Sequence, residues 1–429
     1  MKQSRRSFLR QSSLAAGSFI IVPRHVLGRG FTAPSDKIGL GFIGLGKQCG
    51  GLANQFGKIE SVEILAGSDV WTTKMEWFKD HVGKIYAEQK NNPSYSGLKL
   101  TGEYEELLAI PDIDAVVIAT PDHWHAVQAI HAMEAGKDVY CEKPMTHTVQ
   151  EGIDMVTTAQ RTGKVVQVGS MQRSWESFRK AVELVRNGYV GDISKVLVNV
   201  GDPAIPYNLA AEALPPEVNW DRWCGPTKKL SYNNRLAPAR NDVDFWPDWR
   251  LYKETGGGIL ADWGAHMFDI AQWGLGMDRS GPVSFAPPAD PKAVRGLQMK
   301  YANGIEMVHE DFGRGWAVRF IGSEGSLDVS RQFLDSNPEN IAQAAIKPSD
   351  TMVYHSDNHY QDFLDAIKKR SSPICDVETG HRSASVCNLA NIAYWLNRPL
   401  TWDPVAQQFP GDKEANKLLN YKHRKPYRM

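Results

Sequence analysis

The chain has 429 residues, which is long enough for two domains that each bury a full hydrophobic core. An apolar fraction of 42% and a charged fraction of 23% are typical of an ordinary globular protein. Lys plus Arg and Asp plus Glu both number 49, so no net charge favours binding to nucleic acid or to an anionic membrane surface.

The first 35 residues are predicted to be an export signal and an N-terminal arm. Within "SRRSFLRQSSLAAGSFIIV", Arg5 and Arg6 precede a short apolar stretch at residues 14–22. That stretch is far below the roughly 18 residues that a membrane span needs. A paired arginine before a mild apolar segment indicates a twin-arginine signal, and hence the twin-arginine export machinery as a partner and a periplasmic or exported location. Whether the arm is cleaved or retained stays open.

Residues 36–172 alternate short apolar strands with amphipathic helices, a pattern that predicts a doubly wound parallel sheet of the Rossmann type. The predicted strands are Ile38–Ile43, 62–67, 113–120, 137–144 and 164–170. The predicted helices are 47–56, 103–110, 124–136 and 148–161. A stretch rich in Lys, Gln and Asn at 88–99 is predicted to be a surface excursion.

Residues 173–429 follow a different pattern and are predicted to be a second domain. A helix is predicted at 176–187 and a half-exposed strand at 193–201. Strand–turn–strand patterns follow at 295–312, where "YANGIE" supplies an Asn-Gly turn, and at 317–330. These patterns indicate an α+β domain with an open, mainly antiparallel sheet, to which we assign substrate binding and oligomerisation. A stretch rich in Pro, Trp and Asn at 202–249 shows no periodicity.

The run "KIGLGFIGLGKQCGGL" breaks into glycines where a strand passes into a helix. Gly44 permits a tight turn, Gly46 lets the backbone approach a pyrophosphate, and the helix N-terminus offers free amides. Cys49 occupies the position of the usual third glycine, and Gly50 follows it. Asp69 ends the second strand, where a carboxylate accepts hydrogen bonds from the ribose hydroxyls. No arginine follows Asp69, so NAD is favoured over NADP; a turn that binds no nucleotide is the alternative.

No metal site is predicted. The five cysteines stand at no metal-like spacing, and an odd, scattered count is not a disulfide framework. His123 and His125 form a His-x-His pair that would suit a metal, but no further ligands stand at a convincing spacing. A metal at this pair is therefore only an alternative.

Two further segments carry candidate catalytic residues. Lys143 stands in "YCEKPMT", at the carboxyl end of a predicted strand, where ligands of such sheets bind. In "GGGILADWGAHMFDIAQWG", a helix would place Asp262, His266 and Asp269 on one face. An Asp–His pair facing a cleft is a candidate acid–base unit, and satisfied polar residues on a packed helix are the alternative.

Three motifs, "FIGLG", "ATPDHWHA…AGKDVYCEKP" and "GGGILADWGAHMFD", together resemble the glucose–fructose oxidoreductase / inositol dehydrogenase / MocA family. The resemblance runs in order over residues 37–276 and continues more weakly through "GSEGSLDV". It implies a catalytic constellation of Lys143, Asp262 and His266, and a place near the cofactor for His125. It also implies homodimers or homotetramers. Cys49 and the stretch at 202–249 depart from the family pattern.

The site assignments made from the sequence form two sets. The cofactor-binding residues are predicted to be Gly44, Gly46, Lys47, Gln48, Asp69, Thr120, Pro121, His125, Glu142 and Lys143. The substrate-binding residues are predicted to be Arg173, Trp249, Arg250, Tyr252, Asp262 and His266. Aromatic faces beside polar edges suit a sugar ring, so the tryptophans of the aperiodic stretch are candidates, with packing as the alternative: Trp220, Trp223, Trp246 and Trp249.

The leading hypothesis is an exported NAD-dependent oxidoreductase that takes a hydride from a secondary hydroxyl of a carbohydrate or polyol. An exported enzyme has no ready pool of soluble NAD, so the cofactor is expected to be tightly bound and recycled. The second hypothesis is redox-assisted glycoside cleavage, in which oxidation, elimination and reduction return the cofactor to its starting state. A non-catalytic sugar- or nucleotide-binding protein is a third.

Overall fold

The computed structural model describes residues 37–429. The predicted twin-arginine signal and arm, residues 1–35, lie outside the described residues. No helix within 37–429 is both long and apolar enough to cross a membrane.

The first layer is a parallel sheet of six strands in the order β3-β2-β1-β4-β5-β6. Its strands are β1 (Ile38–Ile43), β2 (Val62–Ser68), β3 (Lys99–Thr101), β4 (Ala115–Ile118), β5 (Asp138–Cys141) and β6 (Val166–Val168). β1 and β4 are buried along their whole length, as apolar strands covered on both faces must be. The strand order reverses between β1 and β4, so a crevice opens at the carboxyl ends of these strands. This sheet confirms the predicted doubly wound fold.

Helices cover this sheet on both faces. They are α1 (Lys47–Gly57), α2 (Thr72–Gln89), α3 (Tyr104–Leu108), α4 (Asp122–Glu134) and α5 (Val149–Thr162). Thr148 and Glu151 cap α5 reciprocally, as the capping box predicts. Helix α2 was missed in the sequence and ends inside the predicted surface excursion, because its buried residues form only a narrow stripe: Phe78, Val82, Ile85 and Tyr86.

The second layer is a sheet of eight strands in the order β13-β12-β11-β7-β10-β9-β8-β14. Its strands are β7 (Ile193–Asn199), β8 (Ser284–Ala286), β9 (Leu297–Lys300), β10 (Glu306–His309), β11 (Ala317–Gly322), β12 (Gly325–Val329), β13 (Leu334–Asn337) and β14 (Leu400–Thr401). Only the β7–β10 pairing is parallel, which confirms the predicted open and mainly antiparallel sheet.

The remaining helices are α6 (Glu176–Arg186), α7 (Trp220–Cys224), α8 (Gly258–Gly274), α9 (Asn340–Gln343), α10 (His359–Lys369), α11 (Val377–Leu396) and α12 (Lys413–Lys417). Helices α6, α8 and α11 bury their apolar faces in the largest core, against the second sheet. Helix α10 packs Phe363 and Leu364 into the core of the first sheet. Most of α8 is buried, so this helix is held firmly against the second sheet.

The aperiodic stretch at 202–249 builds a small core of its own. Its only α-helix is the short α7, and most of its backbone is irregular. Trp71, which follows β2 and is fully buried, packs into this core and pairs through its backbone with Val218. The stretch is therefore bound to the chain just after the carboxyl end of β2, beside the crevice.

Candidate active site

The glycine turn adopts the geometry that the sequence predicts. Gly44 has a φ of +84°, and a Cβ there would lie 2.6 Å from the backbone nitrogen of Thr120, so only glycine fits. A Cβ at Gly46 would meet nothing within 4 Å, because this residue faces open space. Gly50 lets α1 approach Trp77, since a Cβ there would lie 2.8 Å from the indole. Gly50 thus permits close packing of α1 against α2, and Cys49 is a buried core residue.

Asp69 lies at the carboxyl end of β2, beside this turn. Its carboxylate accepts hydrogen bonds from the backbone N–H of Leu45 (2.7 Å) and of Trp71 (2.9 Å). The two bonds fix the carboxylate against the glycine turn. Lys74, in the first turn of α2, lines the same cleft.

A segment that we call the strap, residues 237–250, crosses the cleft from the aperiodic stretch. Asn241 donates from Nδ2 to the carbonyl oxygen of Leu45 at 2.8 Å. Thr73 donates from its hydroxyl to the carbonyl oxygen of Ala239 at 2.7 Å, and Lys47 donates from Nζ to that of Val243. The strap is therefore hydrogen-bonded directly to the turn and to the start of α2.

The cleft under the strap has a volume of about 900 Å³, part of it open to solvent. Of the predicted cofactor-binding residues, seven line it: Gly44, Gly46, Lys47, Gln48, Asp69, Thr120 and Pro121. From the strap, Arg240, Asn241, Trp246, Trp249 and Arg250 complete the wall. Arg250 reaches toward Asp262, with Nε 3.6 Å from Oδ1, and so joins the cleft to the catalytic candidates.

These residues fit a nicotinamide dinucleotide. Helix α1 begins after Gly46 without any side-chain cap, so its first amides face the open space beside that glycine. Such a helix N-terminus favours a phosphate. With Asp69 some distance along the same cleft, the arrangement offers one place for a pyrophosphate and one for a ribose.

Lys143 and Asp262, both candidate catalytic residues, form an ion pair. Lys143 Nζ lies 2.8 Å from Asp262 Oδ1 and also donates to the Asp262 carbonyl oxygen at 3.0 Å. Their side chains retain 14% and 13% exposure. Burial by itself would raise the pKa of Asp262, but the charges of Lys143 and Arg250 outweigh burial and hold that pKa below its usual value.

His266 stands one turn after Asp262 on α8 and is 3% exposed. Its Nδ1 is buried and has no hydrogen-bond partner among residues 37–429. Burial, reinforced by the charges of Lys143 and Arg331, lowers the pKa of His266 well below its usual value. The imidazole is therefore neutral at pH 7 and can accept a proton.

His125 and Glu142 are held between the loops that follow the strands. His125 Nδ1 lies 2.8 Å from the carbonyl oxygen of Pro144, and Nε2 lies 2.9 Å from that of Thr120. The imidazole therefore links the loop after β4 to the loop after β5. It affects the site by holding these two loops in position. Glu142 accepts a hydrogen bond from Gln48 Nε2 at 3.1 Å, and burial raises the pKa of Glu142.

Several of the predicted substrate-binding residues lie away from open space. Arg173 is 2% exposed and donates at 2.8 Å to Asp269 and to Asp278, so its guanidinium is already paired. Tyr252 is buried in the small core of the aperiodic stretch, and Trp220 and Trp223 stack there at 4.5 Å. Their assignment to substrate stays a prediction, and their surroundings are those of packing residues. Trp246 and Trp249 lie in the wall of the cofactor cleft.

The structure adds residues that the sequence reasoning missed. Asp122 opens α4 and is 3% exposed, and its Oδ1 has no partner among the described residues. Burial and the charge of Asp262 raise the pKa of Asp122 to about 8. Beside His266 lies a group of indoles with Arg331, contributed by elements far apart in the chain. Asp122 could have been found from the sequence, because its carboxylate stands in the motif "TPDHWH". No local pattern in the sequence predicts that the indoles lie together.

Comparison with known proteins gives two family matches. The Gfo/Idh/MocA model described as an oxidoreductase family, NAD-binding Rossmann fold, matches residues 38–170. The model described as an oxidoreductase family, C-terminal alpha/beta domain, matches residues 204–429.

Among curated proteins, a glycosyl hydrolase family 109 protein of Shewanella baltica (strain OS155) is 32% identical over 206 residues, which are 44% of this chain and 44% of that protein. Among solved structures, aldose-aldose oxidoreductase from Caulobacter crescentus matches with a TM-score of 0.57 at 19% identity, covering 85% of this chain and 99% of that one. Myo-inositol 2-dehydrogenase from Lactobacillus plantarum has a TM-score of 0.55 at 19% identity, with the same two coverages. At these identities the structural matches establish a shared fold.

Proposed function

Since this chain belongs to the Gfo/Idh/MocA oxidoreductase family, we propose that it transfers a hydride between a nicotinamide dinucleotide and a secondary hydroxyl of a carbohydrate or polyol. The observation that carries the proposal is the Lys143–Asp262 ion pair of 2.8 Å, beside a neutral His266 whose Nδ1 has no hydrogen-bond partner in the described part of the chain. A bound dinucleotide supplies the hydride acceptor. The protein must then bind the hydroxyl and take its proton.

Each of the three side chains has a distinct task in this proposal. His266 accepts the hydroxyl proton on its imidazole ring, because burial keeps that ring neutral at pH 7. Lys143 donates a hydrogen bond from Nζ to the substrate oxygen and so stabilises the negative charge that develops there. Asp262 holds Nζ in position through its carboxylate and its carbonyl oxygen.

We propose NAD as the dinucleotide, held by Asp69 at the ribose. A carboxylate at the end of β2 accepts ribose hydroxyls and repels a 2′-phosphate. Lys74 and Arg240 line the same cleft, and their positive charges would offset part of that repulsion. Fluorescence titration of the purified protein with NADH and with NADPH tests the choice: tighter NADPH binding would contradict it.

Turnover tests the hydride transfer itself. The purified protein is incubated with a panel of sugars and polyols deuterated at single carbinol positions. Transfer of deuterium to the bound dinucleotide, read by mass spectrometry after acid release, supports the proposal. A panel that binds yet transfers no deuterium would exclude it and favour a non-catalytic binding protein.

A second candidate is redox-assisted glycoside cleavage, which two observations favour. The curated relatives are named for glycosyl hydrolase family 109, although the match covers 44% of their length. The strap, hydrogen-bonded across the cofactor cleft, favours a dinucleotide that is retained between turnovers.

The cleavage balances without an external oxidant. Oxidation of the hydroxyl makes a carbonyl, which acidifies the adjacent C–H; a base takes that proton, and the electron pair expels the aglycone as an alkoxide. The alkoxide takes a proton, water adds to the remaining double bond, and the hydride returns to the carbonyl carbon. The net reaction is glycoside plus water to sugar plus alcohol.

One experiment distinguishes the two candidates. A p-nitrophenyl glycoside panel is incubated in D₂O, and nitrophenol, free NADH and sugar deuteration are measured together. Nitrophenol release with deuterium at the carbon next to the oxidised position, and without net NADH, supports cleavage. Oxidised glycoside formed in equal amount to reduced cofactor, with no nitrophenol, supports net oxidation.

We also propose that residues 1–35 direct export by the twin-arginine route. The support is the Arg5–Arg6 pair and the short apolar stretch that follows it. A fusion of residues 1–35 to a reporter that is active only in the periplasm tests this. Export that is lost when both arginines become lysine supports the proposal, and export unaffected by that change contradicts it.

A further inference from the structure

Four side chains from separate parts of the sequence meet beside the start of β11 and the end of β12 in the second sheet. They form what we call the indole–guanidinium cluster: Trp175, Trp263, Trp316 and Arg331. The ring centroids of Trp263 and Trp316 are 4.1 Å apart. The Arg331 guanidinium carbon lies 4.4 Å from the Trp263 ring centroid and 5.5 Å from that of Trp175.

The cluster is continuous with the catalytic candidates. Trp263 follows Asp262 on α8, and its ring centroid is 5.7 Å from that of His266. The charge of Arg331 also acts on His266, where it adds to burial and to Lys143 in lowering the pKa of the imidazole. A molecule on the cluster would therefore reach the proton acceptor.

Two of the indoles are open to solvent. Trp316 is 40% exposed and Trp175 is 37% exposed, whereas Trp220 and Trp223 in the aperiodic stretch are each 5% exposed. Exposed aromatic faces beside a polar group suit a sugar ring, which has apolar faces and polar edges. Single exposed aromatic residues scattered over a surface are common and need no functional explanation. Here the indoles lie together beside the candidate acid–base residues.

Arg331 differs from the other arginines near β11 and β12 in its charged partners. Arg314 and Arg319 also stack on aromatic rings, and both pair with Asp328, at 3.2 and 2.7 Å. Within 37–429, no carboxylate lies within ion-pair distance of Arg331; its Nε donates to Gln172 Oε1 at 2.9 Å. That bond fixes the guanidinium and leaves its terminal nitrogens available. Asp262, the nearest catalytic carboxylate, is already engaged by Lys143 and Arg250.

We propose that the indole–guanidinium cluster is a carbohydrate subsite that binds an anionic sugar unit, with Arg331 pairing to its carboxylate or sulfate group. A guanidinium matches either anion in a bidentate arrangement, and the indoles contact the apolar face of the ring. The inference rests on the proposed function for its carbohydrate substrate, and it narrows that substrate class to acidic glycosides.

Binding to the NAD-loaded protein tests the inference without requiring turnover. Calorimetry compares the methyl glycosides of glucuronic and galacturonic acid with the methyl glycosides of glucose and galactose, and with the 6-sulfates of the last two. We expect an anionic ligand to bind at least about tenfold more tightly than its neutral counterpart. Preference for a uronate or for a sulfate identifies which anion the site takes.

Variants assign that preference to the cluster. Arg331→Gln should abolish the tenfold difference, and Arg331→Lys should keep part of it, because a lysine retains the charge and loses the bidentate geometry. Trp316→Ala should weaken neutral and anionic ligands alike. Arg161→Gln, which changes an exposed arginine on α5, is the matched control and should change neither.

Three outcomes would overturn the inference. They are equal affinity of the wild type for neutral and anionic ligands, no binding of any of these sugars, and a preference that survives in Arg331→Gln. A Trp316→Ala variant that only dissociates an oligomer would assign the surface to a second copy of the chain instead. Anion-selective binding without deuterium transfer would leave the subsite standing and contradict the proposed function, so the two failures are distinguishable.

Discussion

Helix α8 carries two ion pairs seven residues apart that differ in almost every physical respect. Lys143–Asp262 retains 14% and 13% side-chain exposure, whereas Arg173–Asp269 retains 2% and 1%. Both basic residues follow neighbouring strands of the first sheet, β5 and β6. The two ion pairs therefore have equivalent positions in the sequence, and they differ in their surroundings.

The difference lies in how completely each pair is satisfied. Asp269 accepts from Arg173 Nε and Nη2 and from the Ser383 hydroxyl, and the guanidinium also reaches Asp278. Lys143 has one carboxylate and one carbonyl oxygen as partners, and it lies beside His266, whose Nδ1 has no hydrogen-bond partner within 37–429. A buried ion pair whose hydrogen-bonding groups all have protein partners stabilises the structure. An ion pair at a cleft that has fewer protein partners is available to bind substrate.

The largest effect is expected from breaking the Lys143–Asp262 pair. Lys143→Ala should lower turnover about 10³- to 10⁴-fold, equivalent to roughly 4–5.5 kcal/mol in the activation barrier, because the negative charge that develops on the substrate oxygen loses its stabilising partner. The melting temperature and NAD affinity should change little. Lys368→Ala, at an exposed lysine on α10, is the control. Turnover within twofold of the wild type would remove Lys143 from the catalytic assignment.

Breaking the buried pair should act on stability instead. Arg173→Ala leaves Asp269 buried without its partner and should lower the free energy of unfolding by about 3–5 kcal/mol. Turnover per folded molecule should remain near the wild-type value. Urea denaturation and active-site titration measure the two quantities separately. If turnover fell while stability held, Arg173 would contact substrate and the contrast between the pairs would fail.

The pH dependence of activity and stability tests the role of His266, which lies beside the Lys143–Asp262 pair. Because the pKa of His266 lies well below 6.5, the acid limb of kcat/KM should lie below pH 6.5, where the imidazole finally takes up a proton. The unfolded chain protonates this histidine at its ordinary pKa, so stability should also fall as the pH drops below about 6.5. An acid limb at or above 6.5 would exclude His266 as the base. His266→Gln should reduce the loss of stability in acid.

The smallest effect concerns the strap, which is remote from the buried pair. Asn241→Ala removes one hydrogen bond to the carbonyl oxygen of Leu45, worth about 0.5–1.5 kcal/mol, and should speed NAD release roughly 2- to 12-fold. Stopped-flow displacement of NADH measures this rate. Asn208→Ala, at an exposed position of the same stretch, is the control. An unchanged release rate would mean that the strap does not retain the cofactor.

Much of the first half could be predicted from local patterns. Strands β1 and β4, the glycine turn and the Thr148–Glu151 capping box all lie where the sequence indicates, because each depends on residues within a few positions of one another. Helix α2 was missed since its buried stripe is narrow and its remaining surface is polar. The pairing of Lys143 with Asp262 followed only from the family resemblance.

The aromatic residues show where local reasoning ends. The tryptophans at 220–249 are close in sequence and were candidates for a sugar site; Trp220 and Trp223 are instead buried in a small core with Trp71. The indoles of the cluster beside His266 come from three separate segments, and two of them, Trp175 and Trp316, are exposed. Proximity in sequence was thus a poor guide to proximity around the site.

By itself, the sequence determined the doubly wound sheet, the dinucleotide turn and the type of second sheet, because periodicity and turn chemistry are short-range properties. Only the tertiary structure decided which carboxylate of α8 has all its hydrogen-bond partners and which remains available, since that depends on Arg173 and Ser383, which come from distant elements. It also decided that the aperiodic stretch crosses the cofactor cleft, and that Arg331 lies on indoles with no carboxylate within ion-pair distance among residues 37–429. Burial and partner geometry are long-range properties, and no window of sequence contains them.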